Sequence, residues 1–562
     1  MPTNMNERSL EDLIVNYLVD QNGYELGISN DYNKEYALDE GLLKKFLMET
    51  QQQKVVASRI FDTPVNQRRF LERVRKEITD RGVVDVMRKG LKHLSTTFEL
   101  YYPLPSELSS VGNILYSSNK FSIIRQLHYS KENERLALDV AIFINGLPVL
   151  TMELKNQITC QDTAHAVAQY RTDRNPKDLL FMQKRCAVHF AVDDETIEMC
   201  TKLCGVDSWF LPFNKGHNDG AGNPVNINGL KTSYLWENIL KKESLSDILE
   251  HYAQVVVEKD EETGRKIEKI IWPRYHQLEL VHKLLDVTKN GSIGQRFLIQ
   301  HSAGSGKSNS ITWLAYQLVE MLREGKALFD SVILVTDRVN LDKQLRDNVK
   351  SFSRNENIVD WANNSDKLKK HLENGKKIIL TTVHKFSFIL SEVGSELANK
   401  RFAVIIDEAH SSQSGKMSAR ENQVLSGVVI EDDEDEINAH IEKFIEGRRM
   451  APNVNFYAFT ATPKNKTLET FGIPFTKEDG EIGHRPFHTY TMKQAIEEKF
   501  ILDVLKGYTT YQSYYRIRRK IEEDPEFDRV QAMKKLRYFV ESQPETITEK
   551  AKVMVEHFHT SV

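Results

Sequence analysis

The run His301-Ser302-Ala303-Gly304-Ser305-Gly306-Lys307-Ser308 sets a lysine and a hydroxyl directly behind three small residues. Small side chains at Gly304, Ser305 and Gly306 let backbone N–H groups crowd around phosphate oxygens. A helix opening at Lys307 adds the favourable end of its dipole. Lys307 then reaches the β- and γ-phosphates of a nucleoside triphosphate, and Ser308 binds its Mg²⁺. The usual pattern starts with glycine; His301 stands there instead. Further along, Asp407-Glu408-Ala409-His410 follows an apolar run. A carboxylate at a strand's C-terminal end sits beside the phosphate loop in parallel sheets. Asp407 suits the Mg²⁺ through water, and Glu408 suits the task of orienting and deprotonating an attacking water. Thr460-Ala461-Thr462-Pro463 closes another apolar run, where the hydroxyls of Thr460 and Thr462 can link a nucleotide site to a bound strand.

A second constellation lies in the first half. Leu138-Asp139-Val140 and Glu153-Leu154-Lys155 fall on the two arms of a hairpin around Asn145-Gly146. Glu153 and Lys155 are two apart and share a strand face. Two carboxylates there can hold a hard divalent cation through oxygen. The cation acidifies a water and neutralises charge on a scissile phosphate. The parity of the strands makes a demand. A clean two-residue turn pairs Asp139 with Met152 and leaves Asp139 and Glu153 on opposite faces. The site therefore requires an odd-length loop or one bulge. Glu-x-Lys is common by itself; Glu497-Glu498-Lys499 matches it and is assigned no role. Glu11, early in an amphipathic segment, and Gln169-Tyr170, in a helical one, read equally well as structural residues.

The elements that must carry these residues divide the chain into three blocks: 1–255, mixing helices and strands; 256–476; and 477–562, mostly helical. In the second block, short apolar runs such as Phe297-Leu298-Ile299, Val332-Ile333-Leu334-Val335 and Phe402-Ala403-Val404-Ile405-Ile406 alternate with helical stretches. Such runs suit strands covered on both faces. The fold class is α/β, with a parallel sheet carrying the phosphate loop.

Composition narrows the partners. The net charge of −4 rules out a uniformly basic nucleic-acid coat, so contact with a polyanion needs local patches. One patch runs from Arg68 to Lys92, with Arg69, Arg73, Arg75, Lys76, Arg81, Arg88 and Lys89 between them, interleaved with Phe70, Leu71, Val74 and Ile78. It is either a phosphate-binding strip or the solvated face of an amphipathic helix. The acidic run Glu431 to Glu436 has the opposite character and no assigned chemistry. Four cysteines make no disulfide framework, and Cys200 and Cys204 lack zinc-spaced companions. No apolar run approaches the roughly 18 residues of a membrane span, and the polar start carries no signal core, so a cytoplasmic protein without membrane contact is expected.

The phosphate loop, Asp-Glu-Ala-His and Thr-Ala-Thr, in that order, resemble superfamily 2 helicases and translocases. The resemblance implies ATP and Mg²⁺ as cofactors and a RecA-like lobe. It also implies that Gln277, in Arg274-Tyr275-His276-Gln277, reads adenine. Asp337, Arg338, Thr381, Thr382 and His410, with Thr460 and Thr462, then couple ATP to tracking along DNA. For Thr381 and Thr382, ordinary β-branched strand residues remain the other reading.

The first block resembles the nuclease domain of type I restriction R subunits, of the PD-(D/E)xK class; Leu138 replaces the proline of that name. The resemblance makes Glu11 a supporting acid, Asp139 and Glu153 metal ligands, Lys155 catalytic, and Gln169 and Tyr170 accessory. It extends through Phe210–Gly216 and Gly220–Pro224 to Tyr490–Val504. It implies an ATP-dependent double-stranded DNA translocase and endonuclease, working with methylase and specificity subunits. Alternatives are a translocase without nuclease activity, and a non-catalytic docking subunit. No counterpart of the family's second-lobe arginines is evident, so the chain reads as truncated, with 477–562 beginning a second lobe. ATP binding with slow hydrolysis is the expectation that follows, since such arginines contribute about 10³–10⁵ in rate.

Overall fold

The computed structural model describes residues 7–105, 109–156, 160–259, 266–336, 349, 359–362, 365–382, 399–407 and 453–503. Nearly all of them fall in one unit, residues 1–498; of a second unit, 499–562, residues 499–503 are described.

Two seven-stranded sheets organise the first unit. The N-terminal sheet consists of β1 (Glu25–Gly27), β2 (Phe121–His128), β3 (Ala137–Ile144), β4 (Leu147–Leu154), β5 (Val188–Val192), β6 (Ile197–Cys200) and β7 (Leu211–Pro212). Its strands lie side by side in chain order. β1–β2 and β4–β5 are parallel, and the other neighbours antiparallel. Helices α1 (Glu7–Asp20), α2 (Glu40–Ser58) and α3 (Pro64–Arg81) precede or interrupt it, and α4 (Thr163–Thr172) forms the crossover from β4 to β5.

Local chemistry sets these boundaries. Thr63 accepts the Asn66 N–H and Pro64 occupies the first turn of α3, where a missing N–H costs nothing. Gly82 ends α3 at φ +89°, which favours glycine. Asp162 and His165 form a reciprocal cap on α4. The β3–β4 turn, Asn145-Gly146, takes φ +52° and +79°, as a two-residue hairpin turn requires.

The second sheet is wholly parallel. Its strands are β8 (Arg296–His301), β9 (Ser331–Thr336), β10 (Val359–Trp361), β11 (Ile378–Thr382), β12 (Phe402–Ile406), β13 (Val454–Thr460) and β14 (His488–Tyr490), in the order β10-β11-β9-β12-β13-β8-β14. α5 (Tyr275–Asn290) precedes it, and α6 (Lys307–Glu320) leaves the end of β8. The expected parallel α/β sheet is present, and every residue of β9, β11, β12 and β13 is buried. The sheet continues past residue 476, where the sequence placed the end of the lobe. The ladder Ile299↔His488, Gln300↔Thr489, His301↔Tyr490 adds β14 beside β8. One core cluster runs from Leu10 in α1 through Trp272 to Ile405 in β12, so the two sheets share an apolar interior. A second cluster covers the far face of the parallel sheet, and a third lies between the N-terminal sheet and α4.

Candidate functional site

The hairpin β3–β4 carries the irregularity that its chemistry demands. Near the turn Ile144 pairs with Leu147 and Phe143 with Pro148; beyond it Ile142 pairs with Leu150 and Val140 with Met152. The shift leaves Val149 as the extra residue. Continuing that register by one step sets Asp139 opposite Glu153, with both side chains on the α4 face.

Glu153 is fully buried. Its Oε1 accepts from Arg174 Nε at 2.5 Å, while Oε2 is buried and has no hydrogen-bond partner among the described residues. Burial, then the neighbouring Asp139 charge, pushes its pKa up to about 8 against the pull of Arg174. Asp139 accepts the Leu154 N–H at 2.8 Å through Oδ2 and a Gln126 N–H at 3.4 Å through Oδ1. The same Gln126 amide donates to Glu11 Oε2 at 2.6 Å, and Arg125 donates to Glu11 Oε1 at 2.7 Å. Gln126 thus stands between the acid on α1 and the acid on β3. Lys155, also buried, donates from Nζ to the Leu154 carbonyl at 3.1 Å.

The structure therefore draws Glu11, Asp139 and Glu153 into one connected arrangement, with Lys155 directly after the end of β4. Tyr170 supports it from behind. Its hydroxyl bonds Thr151 Oγ1 at 2.8 Å, and Thr151 bonds His189 Nδ1 at 2.7 Å. Thr151 is two residues from Glu153 and shares its face. Gln169 is half-buried on α4.

Three participants escaped sequence reasoning: Gln126, Arg125 and Arg174. Arg174 stands two residues beyond the end of α4, where no helical spacing ties it to Glu153. Gln126 has φ +48°, which no sequence pattern announces.

A divalent cation fits these residues. Two carboxylates face each other, and the orphaned Oε2 of Glu153 lacks a positive partner. Among the described residues no group of three or more His, Cys, Asp and Glu side chains could hold an ion. A cation here would complete its shell with water and substrate oxygen, as Mg²⁺ commonly does.

The phosphate loop lies between β8 and α6. Gly304 and Gly306 adopt φ +73° and +76°. Asp407 follows β12, one strand away across β13 from β8, so both sit on the same sheet edge about 10 Å apart by strand spacing. Lys307 donates to the His301 carbonyl at 3.3 Å. The helix begins at Lys307, directly after Gly306, so its first backbone N–H groups adjoin the loop.

Gln277 differs from expectation. Its Nε2 donates to the carbonyls of Ser305 (3.1 Å) and Gly306 (3.0 Å), and its Oε1 accepts the Arg274 N–H (2.9 Å). Both donors are engaged with the loop backbone and not offered to a base. Arg274 donates to the Gly304 carbonyl at 2.8 Å, and His276 Nε2 lies 3.0 Å from the Ser305 carbonyl. This segment fixes the shape of the phosphate loop.

Thr381 and Thr382 are buried in β11, and the Thr381 hydroxyl has no hydrogen-bond partner among the described residues. Thr460 is buried at the end of β13, and its Oγ1 accepts the Thr462 N–H at 3.3 Å. Asp337, Arg338, Glu408 and His410 lie outside the described residues.

Comparison with known proteins agrees with both halves. The family model "Type I restriction enzyme R protein N terminus" matches residues 4–205, and "SWI2/SNF2 ATPase" matches residues 276–536. The first match covers about a third of the chain and the second a little under half, and the curated proteins similar to it are named as type I restriction enzyme endonuclease subunits. It is 25% identical over 402 residues to the type I restriction enzyme HindI endonuclease subunit of Haemophilus influenzae, covering 68% of this chain and 34% of that one. It is 24% identical over 410 residues to the SsaAORF53P endonuclease subunit of Staphylococcus saprophyticus, covering 70% and 37%. The chain thus spans about a third of the length of these R-protein relatives. A solved SWI2/SNF2 ATPase core from Sulfolobus solfataricus, in complex with dsDNA, is 16% identical with TM-score 0.23, covering 35% of this chain and 34% of that one. Among the described residues no helix is long and apolar enough to cross a membrane.

Proposed function

We propose that this chain cuts double-stranded DNA with its N-terminal half and binds ATP on its parallel-sheet lobe, in a type I restriction complex with methylase and specificity subunits. The observation that carries the reading is the bulge at Val149, which turns Asp139 and Glu153 onto one face. A hairpin serving packing alone has no need of two opposed carboxylates in its interior.

Asp139 and Glu153 would hold Mg²⁺, which when bound neutralises charge on the scissile phosphate and acidifies a water. Arg174 fixes the rotamer of Glu153 through Oε1, and so aims Oε2. Gln126 holds Glu11 and Asp139 at a set separation. Lys155 follows Glu153 on the same face, where its ammonium can orient the water or meet the developing anion. In the lobe, Gly304 to Gly306 offer backbone N–H groups to phosphates, Lys307 adds charge at the β- and γ-phosphates, and Ser308 and Asp407 would hold the nucleotide's Mg²⁺. ATP-driven movement along DNA then brings substrate to the cutting half.

The test is cleavage of supercoiled plasmid with Mg²⁺, the partner subunits, and ATP present or absent. The expected result is ATP-dependent cutting, lost in Glu153→Gln and in Lys155→Ala with nucleotide binding intact. Lys307→Ala should instead lose nucleotide binding. Undiminished cutting by Glu153→Gln would overturn the nuclease assignment.

A further inference from the structure

The basic run that the sequence left open acquires a shape in the fold. α3 buries Phe70, Leu71, Val74 and Ile78, so its opposite face is turned to solvent. On that face Arg69, Arg73 and Lys76 follow at i, i+4 and i+7, a stripe about 10 Å long. The short hairpin Leu91–His93/Thr96–Phe98 brings Lys92 alongside. Together these residues, with Glu72, His93 and Leu94, line an open groove of about 460 Å³.

The charges are not mutually cancelled. Glu72 is committed to Arg68 at 3.0 Å, and Arg73 to Glu77 at 2.6 Å. Among the described residues no ion pair joins Arg69, Lys76 or Lys92 to a carboxylate, and all three are exposed. A chain with net charge −4 thus concentrates uncompensated positive charge along one helix face and one hairpin. His93 lies beneath, its ring edge-on to Phe70, with its pKa lowered by burial and then by Arg73 and Arg69.

We infer that this groove is a docking surface for the sugar–phosphate backbone of duplex DNA, separate from the Asp139–Glu153 centre. Long flexible cations spaced along a helix match a row of phosphates and read no sequence. The choice of duplex over single strand rests on what is missing among the described residues: no exposed aromatic ring lines the groove, and single-strand sites stack bases on such rings. The inference rests on DNA being the substrate, as proposed above, and adds a surface that grips it.

The experiment measures binding of a non-specific duplex of about 20 base pairs by the 562-residue chain, over a range of salt. The triple variant Arg69→Gln/Lys76→Gln/Lys92→Gln should bind about tenfold more weakly at 0.1 M salt, with the slope of log K against log[salt] reduced by about 2–3. Lys76→Arg/Lys92→Arg should keep both affinity and slope. Unchanged slope in the triple variant, with the parent chain binding duplex, would overturn the groove and leave the DNA reading standing. Equal losses in the charge-keeping variant would also overturn it, by revealing a structural role. A parent chain that binds no duplex would remove the DNA reading and the groove together. Circular dichroism and melting temperature confirm that the variants, all at exposed positions, are folded.

Discussion

Arg174 is the side chain whose removal should speak most clearly. It bonds the buried Glu153, and breaking a buried pair costs about 3–5 kcal/mol where a charge is left stranded. Burial already pushes the Glu153 pKa up to about 8, so without Arg174 the carboxyl takes up a proton and escapes part of that cost. Arg174→Ala should lower stability by less than that amount in urea unfolding at pH 7, and adding Glu153→Gln should restore most of it. A double variant as unstable as the single would mean that Arg174 acts through packing against Tyr129, whose ring it also covers. In the phosphate loop, a Cβ on Gly306 would approach Gln277 Nε2 to 2.4 Å at a φ of +76°. Gly306→Ala should therefore weaken ATP binding by about 5- to 150-fold, by an estimate from the typical cost of about 1–3 kcal/mol for a strained φ. Pairing it with Gln277→Ala should recover only part of the loss, since the backbone strain persists. Titration with a fluorescent nucleotide reads both. The places of Lys307 and Asp407 at strand ends were legible because loop and acid each follow a run of strand-forming residues. The grip of Gln277 on the loop was not, because an amide side chain suits a base and a carbonyl equally well.

Among the elements, the hairpin shows how far pattern reaches. Asn145-Gly146 announced the turn, and counting residues between Asp139 and Glu153 showed that a regular ladder fails. Parity demanded an extra residue but could not say where it sits; packing put it at Val149. The turn is itself clamped. The Gly146 carbonyl accepts the Asp39 N–H at 3.0 Å, and Asp39 caps α2 through the Leu42 N–H. A Cβ on Gly146 would meet the Asp39 carbonyl at 2.2 Å. Gly146→Ala should cost more than about 2 kcal/mol in unfolding experiments, from steric overlap added to positive-φ strain. Metal-dependent cutting should fall with it as the ladder shifts. A variant with parental stability would show that α2 yields easily. Arg125, Gln126 and Arg174 stayed hidden because they reach the acids from distant segments and belong to no short motif.

At the level of the whole molecule, three histidines are held neutral by burial. His189 is pushed down to about 3, and His276 and His301 lie well below the usual value. The folded chain therefore refuses protons that the unfolded chain accepts below about pH 6.5, so stability is fully present above that pH and lost as pH falls. Each such group contributes a slope of about 1.4 kcal/mol per pH unit within its window. The urea midpoint should drop from pH 7.5 to 5.5, and less steeply in His189→Gln. A flat profile would mean that these rings charge inside the folded protein.

The strand order of the two sheets bears on how the chain comes into being. In the first sheet each strand lies beside its sequence neighbour, so the segment carrying Asp139 and Glu153 can assemble as synthesis proceeds. The second sheet waits: β8 pairs Arg296 with Phe456 and Ile299 with His488, and contacts so remote in sequence close slowly. On a ribosome, the strands of the first sheet can pair before those of the second, but the apolar interior that the two sheets share closes only once the second has formed. The hairpin that carries the paired carboxylates thus reaches its final packing only when the last strands of the chain's second sheet are in place.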